Sequence, residues 1–143
     1  MLWSVAVDVD TLADGYETWN KVSPSKFTFK RFFDAVRGAE YRDMSVAELI
    51  AMRVDNLGTE RLVGKRSAAA SYPPSDRPRG DADLDSVGYH SKPGTVSSPV
   101  LLVRTKNGVI FLDGVHRVVA ANIGRQRVRV CIADLRRQKP KNK

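Results

Sequence analysis

The stretch that decides the reading of this chain is Val109-Ile110-Phe111-Leu112-Asp113-Gly114-Val115-His116-Arg117-Val118-Val119-Ala120-Ala121. An apolar run breaks at Asp113-Gly114, and the polar pair His116-Arg117 opens a segment of good helix formers. The pattern predicts a strand, a tight turn and a helix N-terminus. A helix start presents unpaired N–H groups and the positive end of the helix dipole, so it suits a phosphate or another anion. Arg117 adds a planar fork of donors, His116 a titratable ring, and Asp113 a carboxylate.

Working outward, Pro99-Val100-Leu101-Leu102-Val103-Arg104 predicts a buried strand, and Lys106-Asn107-Gly108 the hairpin turn that joins it to Val109–Leu112. Val118, Val119 and Ile123 place one face of a short helix toward the core, with Gly124 as its stop. In 127–132, Val128, Val130 and Ile132 alternate with Arg127, Arg129 and Cys131, which predicts a last strand with one apolar and one cationic face. The single cysteine, Cys131, excludes an intrachain disulfide and a multi-cysteine zinc site, and its apolar neighbours mark it as a buried thiol rather than a nucleophile.

The first half is less definite. Trp3, Val5, Val7 and Val9 alternate with Leu2, Ser4, Ala6 and Asp8, which predicts a strand over 2–9, followed by a polar, turn-like 10–19. Phe29, Phe32, Phe33 and Val36 recur at helical spacing over 26–36. That spacing favours core packing over a base-stacking platform for the cluster Phe27, Phe29, Phe32, Phe33. Ser45-Val46-Ala47-Glu48 is a capping box opening a helix that buries Val46, Leu49, Ile50, Val54 and Leu57 and ends near Gly58. Residues 64–99, rich in proline and small residues, read as a long loop or lid, where Tyr89, His90 and Lys92 are candidate lid contacts. Asp81, Asp83 and Asp85 have calcium-loop spacing but lack its glycine and terminal glutamate, so no metal is assigned there.

Composition sets limits. At 143 residues, with 42% hydrophobic residues, the chain fits one domain, 1–135, with a basic, disordered tail at 136–143. No apolar run reaches the ~20 residues a membrane span needs, and no leader pattern opens the chain, so a cytoplasmic protein without a membrane partner is expected. The net charge of +8 is uneven: residues 1–60 carry −3 and residues 61–143 carry +11. A basic half favours polyanions such as nucleic acid or nucleotides, with Arg104, Arg127 and Arg129 as a candidate basic groove.

At residues 99–135 the chain resembles the ParB/sulfiredoxin superfamily, whose members carry Gly-x-His-Arg or Gly-x-Arg-Arg at a strand-to-helix turn, then an alanine pair. Here these are Gly114-Val115-His116-Arg117 and Ala120-Ala121. The resemblance implies an α+β fold, a small mixed sheet packed by three or four helices. It implies a nucleotide (ATP, ADP or CTP) whose phosphates lie on Gly114, Val115, His116 and Arg117, and Mg²⁺ is a further candidate. Two departures narrow the activity. Sulfiredoxins place their catalytic cysteine where this chain has Val115, which cannot attack a phosphate. Partition ParB proteins continue into further domains that the eight residues after Leu135 are too few to form, so a segregation clamp is not expected.

Three readings stay open. In one, a nuclease or NTPase acts on DNA with Asp113 and His116 as catalytic residues and Asp8 or Asp10 as a second acid. In another, a small-molecule kinase uses the same pocket. The third is a noncatalytic DNA- or partner-binding accessory protein. Structural roles compete at each position: Asp113 can serve its own turn, Arg117 can pair with Asp113, and Asp8 and Asp10 can be surface acids.

Overall fold

The computed structural model describes residues 2–23, 27–57 and 94–136. These form a mixed α+β domain. In chain order they are β1 (Leu2–Trp3), α1 (Val9–Val22), α2 (Phe29–Arg37), β2 (Glu40–Met44), α3 (Val46–Ala51), β3 (Val96–Ser97), β4 (Val100–Thr105), β5 (Gly108–Asp113), α4 (Val115–Ile123) and β6 (Val128–Asp134).

The main sheet has strand order β2-β6-β4-β5. β4 and β5 form the hairpin turned at Asn107-Gly108, with Gly108 at φ +130°, and β2 pairs antiparallel to β6. β6 returns parallel to β4, with Val100 opposite Val130 and Arg104 opposite Asp134. The strand expected at 127–132 is thus central rather than two-faced. Val130 and Ile132 pack with Val100, Leu102 and Phe111 under α3 and α4, while Cys131 and Ala133 pack with Leu101, Val103 and Leu112 under α1 and α2. Only Arg129 breaks that second face. Cys131 is fully buried as expected, and burial pushes its thiol up to about 11.

The N-terminal expectation is corrected. Only Leu2–Trp3 is strand, paired in parallel with Val96–Ser97, and the polar segment that follows Val7 is α1, not a turn. Asp8 starts that helix: its carboxylate accepts a hydrogen bond from the Thr11 N–H at 2.8 Å. The buried residues Thr11, Leu12, Gly15 and Trp19 form a narrow stripe, so most of the helix is polar. Gly15 fits a close approach: a Cβ there would lie 2.5 Å from Leu101 Cδ2, so any larger residue makes the buried Leu101 side chain shift.

The second helix begins at Phe29 with Thr28 as its cap, and it buries Phe32, Ala35 and Val36; Phe29 stays 45% exposed. α3 has the expected capping box in full but ends at Ala51, short of the expected stop near Gly58: Arg53 and Asn56 take positive φ, and Val54 and Leu57 are buried beyond the helix instead of on it. β2 was not foreseen: its Glu40, Arg42 and Asp43 are exposed, and it forms the charged edge of the sheet. The opposite edge is covered where Asp55 bonds to Val109 and Phe111. The long loop read over 64–99 is described only from Gly94. Tyr89, His90 and Lys92, the acids at 81–85 and the tail beyond Arg136 lie outside the described residues. No helix of the described residues is long and apolar enough to cross a membrane.

Candidate functional site

The predicted strand–turn–helix is present, and its tightness has a specific cause. Gly114 adopts φ +117° and caps α4 without a side-chain hydrogen bond. A Cβ there would fall 2.6 Å from Val100 Cγ1 and 3.2 Å from its Cα. Both the left-handed backbone and the contact with β4 therefore demand glycine. Val115 and His116 follow, half-buried, in the first turn of α4.

Arg117 turns inward. Its Nη1 donates to Thr11 Oγ1 at 3.0 Å, to the Ser98 carbonyl at 2.8 Å and to the Pro99 carbonyl at 3.1 Å. Its Nη2 donates to Asp113 Oδ2 at 2.8 Å. One buried guanidinium therefore ties α1, the strand β4 at its start, β5 and α4 together. The pairing with Asp113 was open from the sequence. The other three acceptors were not visible in it, because they lie 18 to 106 residues away.

Asp113 sits a quarter exposed beside this guanidinium. Burial raises its carboxyl from the ordinary 3.8 to about 6, against the lowering effect of Arg117, and the charges of Asp14 and Asp8 push it further up. Asp8 and Asp14, rather than Asp10, are the acids acting on Asp113. Asp8 is anchored there by its backbone N–H, which donates to Ser98 Oγ at 3.0 Å. Asp10 stands exposed on the first turn of α1. Among the described residues no group of three or more His, Cys, Asp or Glu is placed to hold a metal ion.

The three arginines expected to form one basic groove are separated. Arg104 lies at the far end of β4, opposite Asp134, on the face of the sheet that packs α3 and α4. Arg129 lies near the other end of β6, on the opposite face, its guanidinium over the Tyr41 ring at 5.1 Å. Arg127 and Arg129 do share a groove of about 480 Å³, lined also by Trp3, Ser4, Val5 and Asp43. The segment 2–8 makes this possible by crossing the end of the sheet. Trp3 Nε1 donates to the Arg127 carbonyl at 3.0 Å, Arg129 Nε donates to the Val5 carbonyl at 3.2 Å, and the Val7 N–H donates to Tyr41 Oη at 3.2 Å.

Trp3, Thr11, Asp14 and Ser98 are thus the residues that sequence reading missed. The only signal was indirect: two aspartates spaced around Thr11 on what is in fact a helix. Comparison with protein-family models, with curated proteins and with solved structures found no match to this chain.

Proposed function

We propose that this chain binds the phosphate groups of a nucleotide or a nucleic acid at the Gly114–His116 turn, in the manner that its resemblance to the ParB/sulfiredoxin superfamily implies. The observation that carries the reading is the cap of α4: a left-handed glycine leaves the N–H end of a nine-residue helix without a side chain of its own to satisfy it. Arg117 supports that turn from within through four acceptors, and the resemblance makes His116 the side chain that would meet a ligand.

The surrounding charge decides the form of the ligand. Asp8, Asp14 and an ionised Asp113 repel a bare phosphate, so the ligand enters as a magnesium complex or after Asp113 takes up a proton. Mg²⁺ keeps most of its ligands as waters and substrate phosphates, so two carboxylates such as Asp113 and Asp8 are enough to hold it beside a phosphate. If a reaction follows with no metal on Asp113, whether nucleotide turnover or cleavage of a nucleic acid, Asp113 is the candidate proton-transfer group, since burial raises its carboxyl to about 6.

Thermal-shift titration with ATP, ADP and CTP tests this, with and without MgCl₂, on the wild type and on His116→Ala. Binding to the native state must raise Tm by mass action. The expected result is a rise with at least one nucleotide or with a short DNA, smaller in His116→Ala. A rise that needs MgCl₂ and grows from pH 5.5 to pH 8 marks the magnesium route, and one that needs no MgCl₂ and is larger at pH 5.5 marks the protonated Asp113. If no nucleotide or DNA moves Tm under any of these conditions, the proposal fails.

A further inference from the structure

The groove at the same end of the sheet, on its β2 side, has a different composition from the turn. It combines one indole, that of Trp3, with two guanidinium groups, those of Arg127 and Arg129. The indole is half-buried against the core cluster that includes Met44, Val128 and Val130, its Nε1 donates to the Arg127 carbonyl, and the rest of the side chain lines the groove. Arg129 is braced between the Val5 carbonyl and the Asp43 carboxylate, with Tyr41 beneath it. Arg127 reaches the Asp43 carbonyl at 2.6 Å and Glu48 Oε1 at 3.4 Å, and its side chain is 59% exposed.

The ion pairs here do not close the site. Asp43 and Glu48 are 61% and 57% exposed, at 3.3 Å and 3.4 Å from their arginines. Exposed pairs of that length contribute little to stability and yield readily to another anion. A partly buried indole next to the exposed guanidinium of Arg127, with the more buried Arg129 held behind it, matches a flat π-system attached to a phosphate. The volume of about 480 Å³ falls in the range of small-ligand sites and holds one nucleotide unit.

We infer that Trp3, Arg127 and Arg129 form a seat for one nucleotide of a single-stranded nucleic acid, with the base stacked on Trp3 and the flanking phosphates on the two arginines. A single strand is favoured over a duplex because only an unpaired base offers its face to an indole in a concave site. A strand is favoured over a free nucleotide because the excess of +8 on the chain, concentrated after residue 60, rewards a ligand with many phosphates. This seat stands apart from the phosphate site proposed at Gly114–His116 and does not rest on it.

Of the two tryptophans, Trp19 is 2% exposed, so quenching by an added ligand reports Trp3. Titration of the full chain with a short oligothymidylate is expected to quench tryptophan emission to saturation, and the quench disappears in Trp3→Phe. By anisotropy of a labelled oligomer, Trp3→Ala weakens binding roughly tenfold. Arg127→Gln, a surface change that leaves the fold intact, weakens it roughly threefold and lowers the salt slope by about 0.7. His116→Ala leaves the quench unchanged, which separates this seat from the α4 turn. Three results would each overturn the inference: no quench by the oligomer, the same affinity and salt slope in Arg127→Gln, or equal quenching by a sulfate polymer that has charge but no bases. Thymidine monophosphate binding as tightly as the oligomer would overturn the choice of a strand.

Discussion

Replacing Arg117 with methionine keeps most of the length and apolar stem of the side chain and removes the guanidinium. The wild-type group is 10% exposed and satisfies a hydroxyl, two backbone carbonyls and one carboxylate. Breaking a buried ion pair by deleting one partner costs about 3–5 kcal/mol, because the other charge is left uncompensated. Asp113 is a quarter exposed, so water recovers part of this, and the lower end, about 3 kcal/mol, applies near neutral pH. For a chain of this length that is a fall in Tm of roughly 10 °C.

The pH dependence makes the attribution specific. In the wild type, the Asp113 carboxyl is raised from 3.8 to about 6, so the folded state holds the proton more tightly than the unfolded chain. The associated stability is fully present below about pH 4 and is lost as pH rises through 6, a difference of about 3 kcal/mol. Without Arg117 the carboxyl rises further, and the loss extends above pH 6. Urea unfolding followed by fluorescence at pH 5 and at pH 7.5 should therefore show a deficit for Arg117→Met of about 3 kcal/mol at the higher pH and about half that at the lower. Adding Asp113→Asn to the variant should recover part of the deficit at pH 7.5 and none at pH 5. A deficit under 1 kcal/mol at pH 7.5, or one equal at both pH values, would refute the idea that Arg117 works by compensating a buried carboxylate.

Gly114→Ala should destabilise by about 2–4 kcal/mol, from strain at φ +117° and the clash with Val100, read as a lower urea midpoint with an unchanged m-value. Ser45→Ala removes one half of the capping box on α3 and should cost about 1 kcal/mol in the same assay. Cys131, fully buried and with its thiol pushed up to about 11, should react with a disulfide reagent only through unfolding or opening; prompt stoichiometric labelling of the native protein at pH 8 would contradict its placement.

The second half of the described chain was legible because its signals are local. The apolar run at 100–103, the Asn107-Gly108 turn, the glycines at 114 and 124 and the helical spacing of Val118 and Val119 each act within a few residues, and the structure follows them. The first half was misread where a local pattern was coincidental. Alternation over 2–9 resembles a strand, yet among the described residues this stretch pairs only with the two-residue β3, and the Asp8 cap starts a helix instead. α1 hid because its buried stripe contains Thr11 and Gly15 and therefore carries little hydrophobic signal. Gly15 weakens the helix by itself and makes sense only beside Leu101, a contact no window of sequence contains.

The same distinction between local and distant partners governs the motif at 113–117. Its residue types suggest an arginine offered to a ligand, because sequence shows the donors and not the acceptors. The fold supplies acceptors at Thr11, Ser98 and Pro99, and a buried guanidinium that meets them holds its place. In the proposed reading that inward turn leaves ligand contact to the backbone of Gly114–His116 and to the His116 side chain, and the acids acting on Asp113 are Asp8, one of the two expected second acids, and Asp14, which was not expected. Two further guanidinium groups lie across the same end of the sheet, Arg127 paired with Glu48 and Arg129 with Asp43. Adjacent strands lie about 4.8 Å apart, so Asp43 on β2 and Asp113 on β5 are separated by roughly 14 Å across β6 and β4. An acidic, proton-sensitive turn and a cationic, aromatic groove thus share one end of the sheet, with the segment 2–8 crossing between them. A polyanion that reached both would bind more tightly at low pH, when Asp113 is neutral, and a ligand confined to the groove would not respond to Asp113 at all.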